Sequence, residues 1–497
     1  MPATHNKKRG EGMAEHENGA QGVSRRKFLH GAGVGAVAVA GAGVMTRATA
    51  ASGDNCKTAG CDYDVVVIGG GFAGVTAARD SRKNGYKTLL LEARNRLGGR
   101  TFTSEFDGHK VEMGGTWIHQ AQPFVWAEKE RYGLEVLETP VSGVALDKEE
   151  YVVKVGDTTH TLSGEQLLPL YEALDAFYVE ARQVWDRPYD AQYTWNEIIR
   201  RDKRTGQQRL DELKLNPVQR VAIDSFVGAT AHAPLDQTSY VDMLRYWALS
   251  GWNLQGFNDA VVRYKLKDGT VGLINKMIED GKPQVRLSTP VKKIEDKGDH
   301  TVVTTQKGEK IVAASVIIAL PMNVLPNLEF SPALDPVLIE AGKQKHSGKG
   351  IKFYIKARGG FTKLAKVTAM ADSNYPVNLV MAHYVSDDYT LFVAFGNDPG
   401  KIDIFDIKAV QSILEPLFPG IQVESTHGYE WTLDPYSLGT YASYKPEWFE
   451  KYYAHFQKDS GRIFFGQGDH GEGWRGCIDG AIAAGGKAAQ RTKELLG

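Results

Sequence analysis

The chain has 497 residues, 42% of them hydrophobic and 24% charged, with a formal net charge of -1. That is ordinary globular composition with room for more than one domain, and the near-zero charge gives no hint of a nucleic-acid partner. Three cysteines (Cys56, Cys61 and Cys477) are too few for a disulfide scaffold, and no His/Cys cluster has metal-ligand spacing.

Met1 to Gly22 is polar and is expected to be disordered. Ser24-Arg25-Arg26-Lys27-Phe28-Leu29, an apolar Gly/Ala-rich run from Gly31 to Met45, and Ala48-Thr49-Ala50 follow. This has the form of a twin-arginine export signal, and the run is shorter than the ~18–20 residues a membrane span needs. Residues 1–50 therefore read as a leader, with a periplasmic protein starting near Ala51, or a cytoplasmic one if the signal is not used. Cys56 and Cys61 either pair in an oxidising compartment or remain two thiols.

Val65 to Ile68 is a β-branched run of the kind buried on both faces of a strand. Gly69, Gly71 and Gly74 come next, with Phe72 and Ala73 between the last two, then a helix-permissive segment from Val75 to Arg82. The first glycine permits the strand-to-helix turn, the second admits a pyrophosphate, and the third lets the helix pack on the sheet. A second strand, Lys87 to Leu91, ends in Glu92, whose carboxylate can accept ribose hydroxyls. Ala93-Arg94 and Arg96-Leu97-Gly98-Gly99-Arg100 add a glycine pair for close approach, with arginines able to donate bidentately to phosphate. Gly114-Gly115-Thr116-Trp117 is a further close-approach segment.

From about Val141 to Val261 the pattern becomes polar and helix-favouring, with helices predicted over Leu167–Val184 and Pro217–Phe226. Tyr246, Trp247, Trp252 and Phe257 crowd the stretch after Tyr240, a density that usually means core. Val271–Ile278 reads as a short helix, and Val285–Ile294, Thr301–Thr305 and Lys310–Ala319 read as strands. In Gly350–Ile355 alternation places Ile351, Phe353 and Ile355 on one face and Lys352 and Tyr354 on the other. Near the C-terminus, Gly461–Asp469 repeats the strand-then-glycine pattern. Gly473–Ala481 leads into a last helix whose N-terminus would aim backbone donors at a ligand.

Together the fingerprint, Arg96–Arg100, Gly114–Trp117, the strand bearing Lys352, Tyr441 and the start of the last helix resemble the flavin-dependent amine oxidases. That family includes monoamine, polyamine and L-amino-acid oxidases, and the resemblance runs from about Tyr63 to the end of the chain. The leader and the run from Gly74 to Val111 are most similar to the bacterial nicotine-degrading members. The resemblance implies an α/β fold: a Rossmann-like FAD-binding domain, discontinuous over 62–140, 262–322 and 430–497, with an α+β substrate-binding domain from 141–261 and 323–429. It implies FAD held by Gly69, Gly71, Phe72, Ala73, Gly74, Glu92, Ala93, Arg94, Gly99, Arg100, Gly115, Thr116, Trp117, Val291, Asp469 and Ile478.

The same resemblance assigns catalytic positions. Lys352 matches the lysine that reaches the flavin N5 through a water, Tyr441 one wall of an aromatic cage, and Trp474 and Cys477 the segment of the opposite wall. Cys477 stands where the monoamine oxidases carry the second cage aromatic, and Thr440 where they carry the cysteine bonded to the flavin, so FAD is expected to be non-covalent. Asp469 replaces a glutamate found in many members. The implied partners are a small amine substrate and either O2 or a redox carrier as electron acceptor. A homodimer is the family-level expectation, without metal, nucleic acid or stable membrane span. An FAD-dependent desaturase and a flavin-binding carrier are competing readings, since both share the fingerprint.

Overall fold

The computed structural model describes residues 56–141, 148–358 and 367–497; the expected leader and export signal lie outside the described residues. Tyr63–Ile68 forms β1, buried at every residue. Strands flank it on both edges in parallel register, β2 (Thr88–Leu91) on one and Lys310–Ile318 on the other. Its alternate residues enter two core clusters, Val66 and Ile68 one and Val65 and Val67 the other, so both faces are covered. The helix after the fingerprint, α1 (Phe72–Lys83), crosses from β1 toward β2. The whole sheet runs in the order 284–286, β2, β1, 310–318, 301–305, 291–296, 329–331, with Ile463–Phe465 also paired to Lys310–Ile318.

Two strands of this sheet depart from the sequence reading. The strand expected over Val285–Ile294 is split into Gln284–Arg286, paired with β2, and Val291–Asp296, paired with Thr301–Thr305. Pro290 offers no donor to a ladder and Ser288 takes a positive φ of 50°, so the chain turns between the two. Glu329–Ser331, within the segment expected to belong to the second domain, pairs with Val291–Asp296 and extends the first sheet.

Helices α2 (Pro217–Ala231) and α3 (Tyr240–Leu249) lie in the intervening segment. Asn216 and Gln219 form a capping box at the start of α2, which runs beyond the predicted Phe226 and stops where His232 takes a left-handed φ of 55°. All ten residues of α3 are buried, so the aromatic density there does belong to core; Trp247, for example, stacks on Tyr178 with centroids 4.4 Å apart.

The second sheet runs in the order 422–428, β3 (Ile351–Arg358), 390–396, 379–385, 367–371, 150–155, 158–163. Along β3 the predicted alternation holds: Ile351, Phe353 and Ile355 enter one core cluster, while Tyr354 joins a different one. Lys352 is buried as well. The last helix, α4 (Ile478–Leu496), packs so tightly on α1 that a Cβ at Gly485 would lie 2.1 Å from the Ala73 carbonyl oxygen. All three cysteines are free, with the Cys56 thiol donating to Asp64 Oδ1 at 3.2 Å. Among the described residues, no helix is long and apolar enough to cross a membrane and no His/Cys/Asp/Glu group could hold a metal.

Candidate active site

A cavity of about 570 Å³ is lined by residues of both sheets. One end has the features a dinucleotide requires. Gly69, Gly71, Phe72 and Ala73 are on its wall, and no side chain caps the N-terminus of α1, leaving its first N–H groups available to an anion. Gly71 forms an isolated bridge with Gly98, and a Cβ on Gly99 would lie 3.0 Å from Gly71 Cα, so the two glycine segments meet across one groove. Gly74 is not on the wall. A Cβ there would lie 1.8 Å from the Gly69 carbonyl oxygen, so it serves the packing of α1 on the turn.

Glu92 is buried and its two carboxylate oxygens accept the N–H groups of Gly70 (2.6 Å) and Arg94 (2.8 Å). Ala93 and Val291 join it on the wall. Arg94 and Arg100 are on the cavity wall too, with guanidinium groups engaged by the protein itself. Arg94 donates to Asp434 at 2.8 and 3.1 Å and to Ser437 Oγ at 2.8 Å. Arg96 donates to the carbonyls of Leu97, Gly99 and Thr101, and Arg100 to Asp469 (2.5 Å) and the Thr440 carbonyl (2.7 Å). Arg94 and Arg100 thus tie the glycine loop to the C-terminal segment, while Arg96 braces the loop on itself. Asp469 accordingly lies behind the wall, where it also accepts the Met322 N–H at 2.9 Å. Burial pushes its carboxyl up, but Arg100 and His346 outweigh that and hold it below the ordinary value.

Lys352 reaches the wall from β3, and its ammonium donates to the carbonyls of Glu112 (2.7 Å) and Gly114 (2.8 Å) and to Thr116 Oγ1. The Trp117 ring centroid lies 5.0 Å from its Nζ. Burial pushes this amine down to about 7, against the pull of the Glu112 carboxylate. Lys352 thus anchors the segment that carries Gly115, Thr116 and Trp117, all on the wall. A Cβ at Gly115 would lie 3.5 Å from Ile478 Cγ1, so this segment also meets the start of α4.

Tyr441 is on the wall, its hydroxyl donating to the Ala229 carbonyl, one of the unpaired acceptors at the end of α2. Its ring stacks on His232 with centroids 4.9 Å apart and planes 5° from parallel. His232 Nε2 donates to the Ile351 carbonyl at 2.8 Å, and burial lowers the imidazole to about 4, so the ring is neutral. No sequence signal pointed to His232. Cys477, the residue preceding α4, is on the wall with its thiol pushed up to about 12 by burial, which keeps it protonated. Trp474 corrects a further expectation: it is fully buried off the wall, donating its indole N–H to the Ala121 carbonyl at 2.7 Å. The wall near Lys352 and Tyr441 is largely apolar, with Trp117, Phe226, Met370, Leu379, Met381 and Phe395, and Tyr246 closes it near Cys477.

Thr440 presents a buried hydroxyl oxygen to the cavity with no hydrogen-bond partner among the described residues. That orphaned atom, the glycine groove and the uncapped α1 N-terminus fit a polar, phosphate-bearing dinucleotide.

Residues 72–492 match the family model described as flavin containing amine oxidoreductase. The chain is 40% identical over 484 residues to a pseudooxynicotine dehydrogenase of Pseudomonas sp, covering 96% of each. It is 36% identical to a nicotine dehydrogenase of Pseudomonas putida, covering 97% of this chain and 100% of that one. An (S)-6-hydroxynicotine oxidase of Paenarthrobacter nicotinovorans is 30% identical over 84% of this chain and 97% of its own. Among solved structures, a putrescine oxidase triple mutant superposes with a TM-score of 0.72 at 20% identity, covering 87% of this chain and 99% of that one. A cyclohexylamine oxidase from Brevibacterium oxydans gives 0.71 at 20% identity, covering 88% and 99%.

Proposed function

The chain belongs to the flavin-containing amine oxidoreductases, and from that premise we propose that it oxidises the secondary amine pseudooxynicotine. FAD is the cofactor, held non-covalently, since Thr440 offers no thiol to bond it. When bound, it supplies a two-electron acceptor for the carbon beside the amine nitrogen. Overall the amine loses two electrons and two protons to become an imine. Water then adds across the C=N bond, releasing methylamine and 4-oxo-4-(pyridin-3-yl)butanal. The electrons end on O2, giving H2O2, or on a redox carrier, and the twin-arginine leader favours a periplasmic setting.

The protein's part is to bind, orient and dry the amine. A protonated amine has no lone pair to support C–H cleavage, and the apolar wall of Phe226, Met370, Leu379, Met381 and Phe395 favours the neutral form. Tyr441, braced by His232, gives the amine a flat face, and the small Cys477 leaves room on the other side for a bulky pyridyl ketone. Lys352 holds the Gly114–Thr116 segment in place through the Gly114 carbonyl and the Thr116 hydroxyl.

The observation that carries the choice of substrate is the 40% identity to a pseudooxynicotine dehydrogenase across 96% of both chains. Nicotine is the second candidate, on the 36% relative. Mass spectrometry of the products after incubation with each compound tests the choice. Equimolar methylamine and aldehyde from pseudooxynicotine, with kcat/KM above that for nicotine, is the expected result. The reverse order of kcat/KM moves the assignment to nicotine.

A further inference from the structure

Behind the Cys477 wall three charged side chains meet away from solvent. Asp242 and Arg245 come from α3 and Arg475 from the loop before α4, each at most 1% exposed. Asp242 Oδ1 accepts from Arg245 Nε at 3.1 Å and from Arg475 Nη2, while Oδ2 accepts the Tyr444 N–H at 2.8 Å. Arg245 also donates to the Gly473 carbonyl, and the Tyr246 hydroxyl donates to the Arg475 carbonyl at 2.8 Å. The Arg475 guanidinium lies 3.5 Å from the Tyr444 ring centroid.

Burying such a triad costs desolvation that well-packed hydrocarbon of equal volume would avoid, so stability alone is a poor reason for it. What charges add is direction: Asp242 Oδ2 fixes the Tyr444 N–H and Arg245 the Gly473 carbonyl, while Asp242 Oδ1 joins the two arginines. Here the groups belong to two segments, Tyr441–Tyr444 and Gly473–Cys477, which carry the two wall residues Tyr441 and Cys477. The segments touch: a Cβ at Gly476 would lie 3.0 Å from the Ala442 carbonyl oxygen and 3.1 Å from the Tyr246 hydroxyl. A shift of either segment therefore changes the gap between Tyr441 and Cys477.

We propose that Asp242, Arg245 and Arg475 are positioning residues that set the gap between Tyr441 and Cys477, and thereby which amines the site accepts. This rests on the amine oxidase reading of that wall. The test uses FAD-loaded wild type, Arg245→Lys, Cys477→Ala and the double variant. Each is assayed with a compact secondary amine, N-methylbenzylamine, and with pseudooxynicotine. Arg245→Lys keeps the charge but not the fork, and should change the ratio of the two kcat/KM values by about tenfold or more. In the double variant the change in ratio should be non-additive, because both substitutions act on one wall. Arg475→Lys, which keeps the charge behind the wall but loses the guanidinium bonded to Asp242, should move the ratio in the same direction and serves if Arg245→Lys does not fold. Active variants with an unmoved ratio, both amines slowing in parallel with lost FAD or lowered melting temperature, would overturn the positioning role alone. A wild type that oxidises neither amine would overturn the functional reading and the gap built on it.

Discussion

Replacing Lys352 by methionine separates two roles for this lysine: anchoring the protein's own backbone, and holding a water at the flavin as the family resemblance implied. The substitution keeps the side chain's length and removes three donated bonds, to the Glu112 carbonyl, the Gly114 carbonyl and Thr116 Oγ1. With the amine at about 7 the group is charged in only part of the molecules near neutral pH, so a bond contributes about 0.5–1.5 kcal/mol when neutral and about 1.5–3 kcal/mol when charged. The full sum does not apply, because neither carbonyl is orphaned. The Tyr354 hydroxyl still donates to the Glu112 carbonyl at 3.0 Å, and the Thr116 hydroxyl to the Gly114 carbonyl at 3.0 Å. Removing a buried charge also returns some desolvation cost. A net loss of about 2 kcal/mol remains, and it falls on the Gly115–Trp117 part of the cavity wall, the part assigned to FAD. That corresponds to roughly thirtyfold weaker FAD binding. The assay is to strip FAD from wild type and Lys352→Met and titrate it back by fluorescence quenching. An affinity within about twofold of wild type, with flavin reduction or reoxidation alone slowed, would refute the anchoring role and favour the water-mediated one.

Other outcomes follow from single contacts. Tyr441→Phe leaves the Ala229 carbonyl at the end of α2 without its hydroxyl donor, costing about 1–2 kcal/mol of stability but keeping the flat wall. Its kcat/KM for the amine should fall less than that of Tyr441→Ala, and the opposite order would argue for chemistry at the hydroxyl. Gly99→Ala forces a Cβ 3.0 Å from Gly71 Cα at a φ of +58°, so the variant should emerge from gel filtration depleted of FAD. Full flavin content would show that the two glycine segments need not meet. Asp479 accepts the N–H groups of Phe124 and Val125 at 2.6 and 2.9 Å, and burial raises its carboxyl from 3.8 to about 6. The folded chain therefore holds this proton more tightly than the unfolded chain, and its contribution to stability declines as pH rises from about 4 to about 6. Asp479→Asn should flatten that decline in thermal melts across the window; an unchanged slope would assign it to other groups.

The parts of the site that are contiguous in sequence were legible there. Strand, glycines, helix, second strand and Glu92 all fall between Val65 and Glu92, where local spacing states the chemistry. Alternation placed Lys352 opposite Ile351 and Phe353, and burial on both faces followed from a sheet covered on both sides. What was hidden depends on partners far along the chain. The partners of Arg94 and Arg100, Asp434 and Asp469, lie 340 and 369 residues away. The Tyr441 hydroxyl meets a helix end 212 residues earlier, and Asp242 meets Arg475 across 233. Trp474 sits in a motif at the wall, yet its bond to the Ala121 carbonyl turns it into the core, which motif position alone does not reveal.

The most direct test of the account is anaerobic stopped-flow absorbance of the purified yellow protein mixed with pseudooxynicotine. Rapid bleaching of the flavin, faster than with nicotine at equal concentration, is the predicted result. Full FAD content with no bleaching by either amine would contradict the proposed substrate while leaving the cofactor site intact.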